Sequence, residues 1–124
     1  MSKILMVEDD ELFSNMYKKK FDHEGLELEV AQNGDEGWKK IQSLKPALVI
    51  LDMMLPGISG TEILKRVKAD ASLKETPVIV MTNLNASSEE LSEAIGLGIA
   101  ETVLKTSVTP AQIVELAKKH MRKE

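Results

Sequence analysis

Residues 47–60 read Ala47-Leu48-Val49-Ile50-Leu51-Asp52-Met53-Met54-Leu55-Pro56-Gly57-Ile58-Ser59-Gly60. A short continuous apolar run closed by Pro and Gly predicts a strand buried on both faces, as in a parallel sheet. The aspartate that ends the run, Asp52, has no helix to cap for several residues, so a purely local role does not explain it. Working outward, similar runs occur at Ile4-Leu5-Met6-Val7, at Val78-Ile79-Val80-Met81 and, more weakly, at Thr102-Val103-Leu104. Residues 26–31 alternate instead: Leu26, Leu28 and Val30 share one face and Glu27 and Glu29 the other, which predicts a strand near an edge.

Helical spacing fills the intervals. Leu12, Phe13, Met16, Tyr17 and Phe21 form one apolar stripe, and Trp38, Ile41 and Leu44 a weaker one. Ile63, Leu64 and Val67, then Leu91, Ala94 and Ile95, then Ile113, Val114, Leu116, Ala117 and Met121 form three more. Ser59-Gly60-Thr61-Glu62 and Ser87-Ser88-Glu89-Glu90 read as capping boxes, and Thr109-Pro110-Ala111-Gln112 as a third, with Pro at the first helical position. Gly25 suits a left-handed helix end. Strand and helix therefore alternate five times, which predicts an α/β fold with a parallel sheet, right-handed crossovers and helices on both faces.

A chain of 124 residues fits one domain, taken as residues 1–124. Apolar residues make up 43% and charged residues 29%, the balance of a globular protein. The net charge of −4 argues against direct nucleic-acid binding, and 3% aromatic residues leave little for base stacking. Cysteine is absent, which excludes disulfides and thiolate chemistry. Apolar runs fall far short of the roughly 20 residues of a membrane span, and the N-terminus shows no signal-peptide pattern, so a cytoplasmic location is expected. The basic tail from Lys118 reads as a solvated last helical turn.

Ligands of open α/β sheets bind beyond the carboxyl ends of the strands. The first strand is followed there by Glu8, Asp9 and Asp10, the third by Asp52, the fourth by Thr82 and Asn83, and the fifth by Lys105. Glu8, Asp9 and Asp52 converge if strands one and three are neighbours. Crowded carboxylates repel unless a cation lies among them, and a small oxygen-only site suits Mg²⁺. Asp10 is the natural N-cap of the first helix. Lys105 points into the acids, where it could bridge to a carboxylate or to a bound phosphoryl oxygen.

This combination of Glu8-Asp9, Leu51-Asp52-Met53-Met54-Leu55-Pro56-Gly57, Met81-Thr82 and Lys105 resembles the receiver domain of two-component response regulators. The resemblance covers the whole chain. It implies a doubly wound (βα)5 sandwich of three layers with strand order 2-1-3-4-5, an order that spacing alone does not supply. It implies that Asp52 is the phosphoacceptor, taking its phosphoryl group from a histidine kinase or histidine phosphotransfer protein. Mg²⁺ would be held by Asp9 and Asp52, by Glu8 through water and by the backbone carbonyl of Met54. Thr82 and Lys105 would contact the phosphoryl group, and the face formed by the fourth helix, fifth strand and fifth helix would respond. Such a domain signals rather than turning over a substrate. A stand-alone receiver of this kind acts by contact with an unnamed target, as a monomer or as a phosphorylation-dependent dimer.

Three positions depart from the family's pattern. Thr102 stands where a switching aromatic is usual. Thr106 replaces a proline after the lysine, so a trans peptide and a rearranged 106–109 loop are expected. Asn83 replaces a small residue, and either restricts access to small donors or hydrogen-bonds the phosphoryl group. Met54 and Leu84, both apolar, are expected to shield the acyl phosphate and slow its hydrolysis. A phosphatase or mutase forming an aspartyl phosphate would need an acid at position 54. A flavodoxin-like cofactor binder would need a phosphate-cradling loop in place of Glu8-Asp9-Asp10. The remaining alternative is a degenerate receiver that binds partners without phosphorylation, for which Thr102 and Thr106 speak and the retained acids, hydroxyl and lysine do not.

Overall fold

A computed structural model of the chain describes residues 3–83 and 88–122. Ten elements alternate in chain order: β1 (Lys3–Val7), α1 (Glu11–His23), β2 (Glu27–Ala31), α2 (Gly34–Leu44), β3 (Leu48–Asp52), α3 (Gly60–Ala69), β4 (Val78–Thr82), α4 (Ser88–Leu97), β5 (Glu101–Leu104) and α5 (Pro110–His120). All the strands pair in parallel, in the order β2-β1-β3-β4-β5. This is the doubly wound sandwich expected from the sequence, with the alternating strand β2 at one edge.

The period of two within each strand divides the core. Leu5, Val7, Val49, Leu51, Val78 and Val80 face α2, α3 and α4, where Ile41, Ile63, Leu64, Val67 and Ala94 cover them. Ile4, Met6, Leu48, Ile50, Ile79 and Met81 face α1 and α5, meeting Tyr17, Phe21, Ile113, Val114 and Ala117. The continuous apolar runs are thus explained: β1, β3 and β4 have no solvent face.

Helix ends follow local chemistry. Asp10 caps α1, its carboxylate accepting from the Phe13 N–H at 3.1 Å. Thr109 and Gln112 form a complete capping box at α5, with Pro110 in the first turn. At α3 only half of the expected box forms. Ser59 accepts from the Glu62 N–H, while the Glu62 carboxylate reaches forward to Arg66 at 3.1 Å. The box expected at α4 includes Ser87, outside the described residues. Gly25 follows α1 at φ +74°, the left-handed end foreseen.

Two apolar stripes need correction. Leu12 is 84% exposed and Met16 is also exposed, because α1 buries Ser14, Tyr17 and Phe21. At 3.6 residues per turn Leu12 lies about 140° round the helix from Tyr17. On α4, Ala94 is buried but its neighbour Ile95 is 56% exposed.

Candidate phosphoacceptor site

Four strand ends bring their side chains to one edge of the sheet. After β1, the Glu8 N–H donates to the Ala31 carbonyl at 2.9 Å, extending the pairing with β2 by one residue. This places the Glu8 side chain inside the protein, fully buried, while Asp9 turns out to solvent. Asp52 ends β3 in register with Met81 and is 3% exposed. After β5, the Lys105 N–H donates to the Thr82 carbonyl at 2.7 Å, which directs the lysine stem back over the sheet edge.

The acids meet as expected. Glu8, Asp9 and Asp52 each offer a carboxylate oxygen, and these oxygens all lie within 4.8 Å of one another. Lys105 is the counter-charge: its Nζ lies 2.8 Å from Glu8 Oε1 and 3.1 Å from Asp52 Oδ2. The remaining oxygens have backbone donors. Glu8 Oε2 accepts from the Asp10 N–H at 2.9 Å, and Asp52 Oδ1 accepts from the Met54 N–H at 3.0 Å.

Charge and burial compete here. Burial pushes the Glu8 carboxyl up to about 7, against the opposing pull of Lys105 and the Asp10 N–H, with the Asp52 charge adding to the rise. Burial draws Lys105 downward, but the Glu8 and Asp52 carboxylates outweigh it and hold the ammonium above its usual value. Three carboxylates against one ammonium leave excess negative charge in a pocket of hard oxygen donors that opens at Asp9. That donor set fits a small divalent cation.

Thr82 ends β4, almost buried, and its hydroxyl donates to the Asn83 carbonyl at 3.3 Å. Met54, two residues beyond Asp52, is 48% exposed, and Leu84 lies outside the described residues. Thr102 sits mid-strand in β5 opposite Val80, away from the acidic cluster. No peptide bond among the described residues is cis, so Thr106 follows Lys105 in trans. The turn after it is closed by the Ser107 and Val108 N–H groups, both donating to the Leu104 carbonyl.

The loop quoted at the outset is positioned by backbone proximity. A Cβ on Gly60 would lie 2.6 Å from the Asp52 carbonyl oxygen and 2.9 Å from Met53 Cα. Only glycine lets α3 begin this close to the end of β3. Sequence reasoning missed a second such residue, Gly34, whose Cβ would overlap the Ile58 carbonyl. It also assigned Phe13 to the core alone, whereas its ring centroid lies 4.8 Å from Lys105 Nζ. An aromatic one turn into the helix that follows an acidic strand end was the available signal.

Comparison with known proteins agrees with this geometry. The family model of the response regulator receiver domain matches residues 4–118. The phosphate regulon transcriptional regulatory protein PhoB of Rhizobium meliloti is 34% identical over 110 residues, covering 89% of this chain and 48% of that protein. The polar-differentiation response regulator DivK of Brucella anthropi is 28% identical over 118 residues, covering 95% of this chain and 94% of its own. A CheY-like response regulator receiver domain protein of Methanospirillum hungatei superposes with a TM-score of 0.86 at 28% identity, over 96% of this chain and 92% of the other. The chain spans about half the length of the first transcriptional regulators it matches. Fold, acidic pocket and sequence together place this chain in the response regulator receiver domain family of two-component signalling.

Proposed function

We propose that Asp52 accepts a phosphoryl group from a phosphohistidine on a histidine kinase or histidine phosphotransfer protein. The observation that carries this reading is the bridge of Lys105 between Glu8 and Asp52 beside the exposed Asp9. A carboxylate oxygen of Asp52 attacks phosphorus as the phosphorus–nitrogen bond of the donor breaks, and the electron pair returns to the imidazole. A carboxylate is a weak nucleophile, so positioning and charge neutralisation do most of the work. Lys105 supplies one positive charge next to the accepting oxygen. Asp9, Asp52 and the Met54 carbonyl would hold Mg²⁺, with Glu8 behind them, and a bound ion supplies further neutralisation of phosphoryl charge.

The product carries new acceptor oxygens and more negative charge where Lys105 already stands. The Thr82 hydroxyl, now donating to the Asn83 carbonyl, turns to these oxygens, and Asn83 lies beside them. Movement of β4 and β5 ends then changes the α4–β5–α5 face that a target protein reads. Thr102 has no ring to swing, so the readout does not pass through an aromatic at that position. Met54, exposed and apolar two residues beyond Asp52, would shield the acyl phosphate from water and slow its hydrolysis. No described helix is long and apolar enough to cross a membrane, and a cytoplasmic site of action fits the donor chemistry.

The test is intact-protein mass after incubation with acetyl phosphate, with and without Mg²⁺. One phosphoryl adduct is expected, requiring both Mg²⁺ and Asp52, and absent from Asp52→Ala. If neither an adduct nor Mg²⁺-dependent fluoroberyllate binding is found, Asp52 is not a phosphoacceptor.

A further inference from the structure

Lys105 has a third neighbour that phosphoryl acceptance does not by itself require. Its ammonium meets the carboxylates of Glu8 and Asp52 on one side. On another lies the Phe13 ring, its centroid 4.8 Å from Nζ, inside the roughly 6 Å range in which a ring's negative face attracts a cation. The ring is itself braced. Phe13 packs on the buried Tyr17 with centroids 4.7 Å apart and planes tilted by 39°. Its backbone N–H is tied to the Asp10 carboxylate at 3.1 Å, and the Asp10 N–H to Glu8 Oε2 at 2.9 Å. The carboxylate that pairs with Lys105 thus also anchors the turn that presents the ring to Lys105.

A lysine side chain is a flexible four-carbon stem ending in a strongly hydrated point charge, so fixing its position needs more than one contact. An aromatic face attracts the ammonium without offering a carboxylate to compete for it, and it keeps water from that side. We propose that Phe13 is a positioning residue for Lys105, its ring holding the ammonium at the Glu8–Asp52 edge where it meets the incoming phosphoryl group. This inference rests on the phosphoacceptor reading given above. It moves an aromatic role to α1 in a chain that carries threonine at position 102.

The decisive comparison is Phe13→Leu, which keeps an apolar side chain but removes the ring, against Phe13→Tyr, which restores a ring face. Fluoroberyllate affinity in Mg²⁺ is measured for each, in the native background and with Lys105→Ala. The cation–ring attraction corresponds to a loss of roughly 3- to 10-fold in Phe13→Leu, with Phe13→Tyr within about twofold of the native protein. In the Lys105→Ala background, Phe13→Leu is expected to have no further effect. An equal loss in both backgrounds, or no loss in the native one, overturns the proposal and leaves Phe13 a packing residue. The NMR signals of the Lys105 Cε methylene, shifted by the ring in the free protein and restored in Phe13→Leu, give an independent reading of the contact. If those signals behave as expected but the native protein neither binds fluoroberyllate nor takes up a phosphoryl group from acetyl phosphate, the phosphoacceptor reading has failed and the positioning role falls with it. If the signals show no ring shift, the contact itself is refuted.

Discussion

Tyr17 stands where the core meets the site. Its ring fills the layer between α1 and the sheet, yet its hydroxyl is buried without a hydrogen-bond partner among the described residues. Burial, helped by the nearby Glu8 charge, pushes the phenol up to about 12, so the group stays neutral. A buried hydroxyl with no partner costs about 1–3 kcal/mol of desolvation. Tyr17→Phe keeps the ring that braces Phe13 and removes that cost. It is therefore expected to stabilise the protein by about 1 kcal/mol, a rise of roughly 3–5 °C in Tm. Urea denaturation of the two proteins checks this, and a lower midpoint for Tyr17→Phe would contradict it. The sequence marks Tyr17 as core through helical spacing, but the orphaned hydroxyl depends on neighbours from other elements and leaves no local trace. Asp52, Glu8 and Lys105 were legible for the opposite reason. Parallel pairing carries the C-terminal end of every strand to the same edge, so residue type and position together predict their convergence.

At the scale of elements, the junction between β3 and α3 shows how tightly the site is attached to the frame. Gly60 opens α3 against the Asp52 carbonyl and Met53 Cα, both backbone atoms that cannot rotate away. Gly60→Ala forces the helix start from the strand end, with an expected loss of about 2 kcal/mol or more and slower phosphoryl uptake, because the displaced backbone carries Asp52. Gly96, in the last turn of α4, provides the contrast, since a Cβ there meets nothing within 4 Å. Gly96→Ala is expected to gain up to about 0.5–1 kcal/mol from helix propensity and to leave phosphorylation unchanged. Thermal melts together with phosphorylation rates separate the two, and equal behaviour of the two variants would refute the packing argument. Element type was readable from period and caps, but the buried side of a helix was less so. The apolar spacing of α1 allows either Leu12 and Met16 or Tyr17 and Phe21 to point inward, and only the approach of the sheet and α5 selects the second pair. At α3 the expected reciprocal cap fails because Arg66, one turn on, competes for the Glu62 carboxylate.

The whole molecule sets the balance between folding and charge. Spacing predicts a parallel sheet but leaves the order of the strands open; the order came from the family resemblance, and it is the adjacency of β1 and β3 that brings Glu8 and Asp9 to Asp52. That adjacency gathers more negative charge than Lys105 alone offsets, so the fold works against its own site when no divalent cation is present. Glu8 binds its proton more tightly in the folded chain, near pH 7, than at its ordinary value of 4.5. Between those values the folded state holds more protons than the unfolded state, so stability falls as pH rises through the window. A divalent cation acts in the opposite direction, because it binds the assembled carboxylates and not the separated ones of the unfolded chain. The metal-free protein is therefore expected to be less stable at about pH 8 than at about pH 5 through this group. Mg²⁺ at about 10 mM should raise Tm by several degrees at the higher pH and by less at the lower, where protons compete for Glu8. Asp9→Asn tests the origin of the effect, since Asp9 is exposed and its loss leaves the core intact. That variant should melt at least as high as the native protein without Mg²⁺, because one repelling charge is gone, and should lose most of the Mg²⁺ response. A full Mg²⁺ response in Asp9→Asn, or a metal-free stability that rises through the same pH window after Glu8→Gln is used to isolate the Glu8 contribution, would show that the strained charge cluster does not govern the stability of this domain.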